Sequence, residues 1–166
     1  RRYEAQTKLL CDVSNEYDLV AIQEVKADSA EISMLQRHLI RSHEVIWSPS
    51  MLNGFEHHLA DGVMLIVSKK WQVLQTDFLV AGRIQFAIIQ SYANPVLVIN
   101  AHLFSVIHHE KFAQVRRLEA FIGRWGGHTI LVGDLNATRP GEARLRNSVP
   151  CFRSSRFDLA VDALMN

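Results

Sequence analysis

Several things are scarce in this chain of 166 residues. It has only 2 cysteines, Cys11 and Cys151, too few for a disulfide framework. Neither has a Cys or His nearby at finger spacing, which excludes a zinc finger, so both are read as small apolar residues. No apolar run approaches the roughly 20 residues that a membrane helix needs. Charge of one sign is also missing: 18 Lys and Arg face 17 Asp and Glu, for a formal net charge of +1. That balance neither demands nor excludes a nucleic-acid partner, because a local basic face can bind phosphates while the total stays near zero. There is no internal repeat, no low-complexity tract and no Pro/Gly/Ser-rich linker. The chain is therefore expected to be one domain spanning 1–166. It opens on Arg1 without Met, so a leader peptide cannot be judged.

Apolar residues make up 48% and charged residues 21%, ordinary for a globular domain and enough for a sizeable core. Tyr3, Leu9, Leu10 and Val13 recur at helical spacing. The run from Asp18 to Glu24 reads as a buried strand. Asp28 followed by Glu31 resembles a helix start, continued by Ile32, Leu35 and Leu39. Val45 to Trp47 is a short strand, and Ser50 to Asp61 reads as a loop. Gly62 to Val67 is a strand. Phe78 to Val80 and Ile84 to Ile89 are two more, joined by Ala81, Gly82 and Arg83 in a hairpin-like connection. Val96 to His102 follows the turn at Asn94 and Pro95. Phe112, Val115, Leu118, Phe121, Ile122 and Trp125 predict one helical face, stopped by Gly126 and Gly127. Thr129 to Val132 is the next strand. The tail after Arg139 is Arg-rich loop, with a short amphipathic helix from Phe157 to Met165. Alternating strands and helices with adjacent strand pairs predict an α/β (α+β) layered fold with a mixed sheet.

Three of the apolar strands end in chemically capable residues: Gln23 and Glu24, Asn100 and His102, Asp134 and Asn136. Ligands of layered α/β folds bind beyond the carboxyl ends of strands. If the three strands lie side by side, Glu24, His102, Asp134 and Asn136 converge there. A Glu carboxylate is a hard oxygen ligand suited to Mg²⁺ or Mn²⁺. An imidazole suits hydrogen bonding to a phosphate oxygen or proton transfer. An Asp beside an Asn supplies a base and a neutral donor. Each has a plainer reading: Glu24 as a solvated strand end, His102 as a core histidine, Asp134 and Asn136 as an Asx turn. His57, His58, His108 and His109 form adjacent pairs whose side chains diverge in most backbones, so a transition-metal site is not expected.

The run from Leu19 to Glu24 resembles the "LQE" strand of the endonuclease/exonuclease/phosphatase superfamily, and Gly62 to Val67 its following strand. Gly82, Arg83 and the strand after them also fit. Asn100 to Leu103 is similar to the "NTHL" motif, and Gly133 to Asn136 to "GDFN". The motifs keep the family's order from about residue 5 to 137. The resemblance implies a layered β-sandwich flanked by helices and Mg²⁺- or Mn²⁺-dependent hydrolysis of a phosphoester. Glu24 would be the metal ligand. Asp134 would position or deprotonate the attacking water, while Asn136 and His102 would contact the scissile phosphate. Arg83 and Asn100, within the matched motifs, and Arg139, in the Arg-rich stretch after the last of them, are the candidate substrate contacts.

The family also has an earlier strand carrying a metal-site Asn and a closing strand carrying an Asp-His pair. Neither is matched here; Asp158 and Asp162 read as a solvated helix face. The expectation is an incomplete domain, with weak or absent activity for these residues in isolation. Arg139, Arg144, Arg146, Arg153 and Arg156 follow the GDLN loop and point to nucleic acid, as does similarity to the endonuclease domains of retroelements. The competing readings are a phosphatase or phosphodiesterase acting on inositol phosphates or sphingolipids, and a catalytically dead scaffold that binds a partner.

Overall fold

The computed structural model describes residues 2–52, 55–56, 62–91, 94–104 and 108–136. Its contacts divide the chain into two compact units. The first is Arg1–His102 with Gly127–Gly133, and the second is Leu103–Gly126 with Asp134–Asn166. The expected helix from Phe157 to Met165, the pair His57 and His58, Cys151, Asp158, Asp162 and all five tail arginines, Arg139 among them, lie outside the described residues.

The first unit is an α+β sandwich. Its elements are α1 (Arg2–Glu16), β1 (Leu19–Val25), α2 (Ser29–Leu39), β2 (His43–Ser48), β3 (Met51–Leu52), β4 (Phe55–Glu56), β5 (Gly62–Ser68), β6 (Gln72–Val80), β7 (Ile84–Gln90) and β8 (Pro95–His102). After α3 (His108–Trp125), the chain adds β9 (His128–Asp134). One sheet has the order β1-β5-β2 and the other β6-β7-β8-β9. β5 pairs antiparallel with both its neighbours, and β7 with both of its own.

The core follows from the two faces of β5. Every residue of this strand is buried, which is why its sequence is a continuous apolar run and not an alternation. Met64 and Ile66 face α2, meeting Ile32, Leu35, Leu39 and Val45, with Leu10 and Cys11 of α1 packed alongside. Leu65 and Val67 point the other way, into Ala87, Ile89 and Val98 of the second sheet. Strand periodicity alone therefore builds two cores from one strand. The Asp28 side chain accepts from the Glu31 backbone N–H at 2.8 Å, while Glu31 accepts from the Asp28 backbone N–H at 3.0 Å. This is the capping box that opens α2.

Three expectations from the sequence are corrected, and one open condition is answered. The stretch expected to be only loop after Ser50 contains the two-stranded β3-β4 pair. β6 begins at Gln72, well before Phe78. Its exposed positions on a sheet edge mix Gln72, Gln75, Thr76 and Asp77 with the apolar Leu74 and Phe78, so no continuous apolar run marks it. The condition that the three polar-ended strands lie side by side is not met, because β1 belongs to the other sheet. Finally, Phe112 is 63% exposed. The buried stripe of α3 is Lys111, Gln114, Val115, Leu118 and Ile122; Lys111 takes the place in the stripe that rotates Phe112 outward.

Candidate functional site

In the first unit the site begins with a bulge. β1 is in register with β5 at Ile22↔Met64 and again at Val25↔Gly62. Gln23 and Glu24 therefore stand opposite the single residue Val63, and the strand carries one extra residue. Glu24 absorbs it with φ 55, a left-handed conformation that non-glycine residues adopt at a cost. In a regular strand, consecutive side chains point to opposite faces. Here both reach toward β8, whose Asn100 and His102 share one face. Gln23 Nε2 donates to Asn100 Oδ1 at 2.7 Å, and Glu24 Oε1 lies 3.7 Å from His102 Nε2.

His102 is buried, whereas the Glu24 side chain is 63% exposed. On the other side of the imidazole, Arg83 Nη1 lies 3.0 Å from His102 Nδ1. The same two residues are tied through the backbone, where His102 N–H donates to the Arg83 carbonyl at 2.7 Å. The connection that carries Arg83 turns at Gly82, whose φ is +64. A Cβ there would fall 2.2 Å from Ser50 Cα, so only glycine fits. The Gly82 N–H donates to Ser48 Oγ at 3.0 Å.

Asn100 departs from its expected place as a substrate contact. It is completely buried. Its amide nitrogen donates to the Ile22 carbonyl at 3.0 Å and to the Met64 carbonyl at 2.9 Å, and its oxygen accepts from Gln23. Both donors of the amide are thus spent on tying β8 to β1 and β5. Its residue type flagged polarity, but nothing in the sequence showed which way that polarity turns.

The second unit holds Asp134 and Asn136. Asp134 Oδ1 accepts from the Asn136 backbone N–H at 2.7 Å, the Asx turn that the sequence suggested. Asn136 has φ 49, and its Nδ2 donates to the Leu103 carbonyl at 2.6 Å. The Leu103 N–H donates in turn to the Asp134 carbonyl at 2.9 Å. Sequence reasoning missed Lys111 and Gln114, which sit inside an otherwise apolar stripe. Lys111 Nζ donates to the Asn136 carbonyl, and Gln114 Oε1 accepts from the Phe104 N–H at 3.0 Å. Gly133, with φ +130, precedes the turn.

Among the described residues, no group of three or more His, Cys, Asp or Glu is placed to hold a metal ion. Glu24 offers a single exposed carboxylate beside a histidine. Mg²⁺ keeps several waters and is commonly held by one or two carboxylates together with substrate phosphates. The arrangement fits that open manner of binding and does not fit a closed protein cage. A cavity of about 280 Å³ also opens between α1, α2 and β1, with Leu10, Ile22, Glu24, Ala27 and Leu35 in its wall. Neither Arg83 nor His102 lines it, so the cavity does not locate the chemistry.

The model of the Endonuclease/Exonuclease/phosphatase family matches residues 1–161. The chain belongs to this family. Solved structures agree on the fold of the Endonuclease/Exonuclease/phosphatase member described here. TDP2 from Caenorhabditis elegans is similar at TM-score 0.58 and 23% identity, over 85% of this chain and 44% of that one. ANGEL2, a 2',3'-cyclic phosphatase, is similar at TM-score 0.67 and 19% identity, over 87% and 46%. D. rerio TDP2 complexed with single strand DNA product gives TM-score 0.66 and 16% identity, over 90% and 60%. The chain thus spans between 44% and 60% of the lengths of these three. No curated protein sequence matches it at a significant level.

Proposed function

We propose that this chain is part of a Mg²⁺- or Mn²⁺-dependent phosphodiester hydrolase that acts on nucleic acid. The observation that carries the reading is the Glu24–His102–Arg83 row: an exposed carboxylate turned out of its ladder, beside a buried imidazole backed by a guanidinium. A hard carboxylate for a divalent ion, an imidazole for a phosphoryl oxygen and a fixed positive charge are what phosphoryl transfer asks of a protein. The ion, when bound, would neutralise charge developing on phosphate oxygens. Glu24 would hold it, and His102 and Arg83 would bind the phosphate. For Asp134 and Asn136 the proposed roles are those the resemblance assigns, positioning of water and contact with phosphate. Asn100 is withdrawn from the substrate contacts and given a structural place. Nucleic acid is preferred because a related fold was solved with single strand DNA product. We also propose that 1–166 is one incomplete domain of the longer proteins it resembles.

The test is nicking of supercoiled plasmid by the longest natural chain that contains this region, with Mg²⁺ present or withheld. Nicking that requires Mg²⁺ and is lost in both Glu24→Gln and Asp134→Asn is the expected result. Nicking that survives in Glu24→Gln removes this carboxylate from the mechanism. Failure to nick, with a 2',3'-cyclic phosphate end hydrolysed instead, would move the substrate class toward that of ANGEL2.

A further inference from the structure

His102 has two chemically different nitrogens, and its neighbours do not treat them alike. A guanidinium carries five N–H donors and no acceptor, and it does not lose its proton in a protein. Arg83 Nη1 stands 3.0 Å from Nδ1. In that contact Nδ1 can only accept, through its lone pair, so it carries no proton. A neutral imidazole has one N–H, which must then sit on Nε2. Nε2 is the nitrogen that faces Glu24 Oε1, at 3.7 Å. That is beyond hydrogen-bond length, so the N–H is not consumed by the carboxylate.

We propose that Arg83 is a positioning residue, whose guanidinium holds His102 in the Nε2–H tautomer, so that His102 meets the phosphate as a hydrogen-bond donor and not as a base. The assignment rests on the proposed phosphodiesterase reading and sharpens it. Imidazole suits either proton abstraction or donation; the direction of the Arg83 contact selects donation. Geometry supports the hold, because the Arg83 carbonyl also accepts the His102 backbone N–H at 2.7 Å. The turn bearing Arg83 is itself fixed where Gly82 admits no Cβ. Arg83 thereby acts through a second residue, beyond any charge it offers to substrate.

The deciding measurement is a long-range proton–nitrogen correlation spectrum of the nitrogen-labelled full chain at alkaline pH, which distinguishes the two neutral tautomers of each histidine. His102 is assigned by its loss in His102→Gln. Wild type should show Nε2–H. In Arg83→Ala the preference should fall by about ten-fold, the loss of one charge-assisted hydrogen bond. Arg83→Lys, which restores a donor, should recover much of it. An Nδ1–H tautomer in the wild type, or a tautomer unmoved in a folded Arg83→Ala, overturns the proposal. An Arg83 that only bound substrate would raise KM in the plasmid assay and leave the spectrum untouched. The spectrum is read without substrate. If the chain shows the Nε2–H signature and cuts no phosphodiester, the functional reading fails while the tautomer assignment holds.

Discussion

Replacing Asn100 by alanine separates a structural strut from a substrate contact. The side chain is completely buried and makes three hydrogen bonds, to Gln23 Nε2, the Ile22 carbonyl and the Met64 carbonyl. Each buried hydrogen bond contributes about 1 kcal/mol net, and more when its partner is left unsatisfied in the interior. Three lost together should cost about 3–4 kcal/mol. For a chain of this size each kcal/mol moves Tm by roughly 2–4 °C, so the midpoint should fall by about 6–16 °C. A protein stabilised by about 5–15 kcal/mol survives this as a folded species, and the two Tm values can be compared directly by circular dichroism. Asn100→Asp should be at least as damaging, because it removes both donors and buries a charge. The reasoning is refuted if Asn100→Ala melts within about 2 °C of wild type, or if it keeps its Tm and raises only KM, as a residue touching substrate would.

Two further outcomes follow from the backbone and the surface. At Glu24, with φ 55, Glu24→Gly should be more stable than Glu24→Ala by about 1 kcal/mol, reversing the order found in ordinary strands; equal midpoints in urea would show that the bulge is not strained. Asp18 has its carboxyl held below the ordinary value of 3.8, first by the hydrogen bond from Lys70 and then by the charge of the same residue, against a partial desolvation that pushes the other way. A lowered folded pKa stabilises above the ordinary carboxylate range, and the contribution is lost as pH falls through the lowered value. Lys70→Ala should therefore flatten the acid end of the stability profile and change nothing near neutrality except a constant offset; an unaltered Asp18 titration by NMR would refute it.

Much of the fold could be read from the chain because its strands announce themselves. β5 is buried on both sides and is accordingly apolar throughout. β8 ends in a polar residue, His102, and α2 carries its own cap in Asp28 and Glu31. What escaped the sequence is what depends on neighbours. β6 is an exposed edge strand, and solvent accepts polar side chains there without complaint. Sheet membership is not a periodic property, so whether β1 lies beside β8 stayed open in the sequence. Lys111 was invisible because a cation in a buried stripe makes sense only once the Asn136 carbonyl is known to receive it.

The motif residues were legible, but their grouping arises by a route that the sequence did not suggest. Side-by-side strands were one condition for gathering the polar strand ends; in the first unit, stacking of two sheets brings Glu24 to His102 instead. Stacking alone would bring only alternate residues of β1 to β8. Gln23 and Glu24 are consecutive, yet one reaches Asn100 and the other approaches His102. A one-residue bulge with a left-handed Glu24 resolves that conflict. It also explains a division of labour: Gln23 is used to lock the sheets through Asn100, which leaves Glu24 exposed and uncommitted. Backbone strain at the carboxylate proposed to hold the metal is thus coupled to the strut beside it. Evolution could remove the bulge only by giving up either the lock or the carboxylate, because a regular β1 would aim one of the two away.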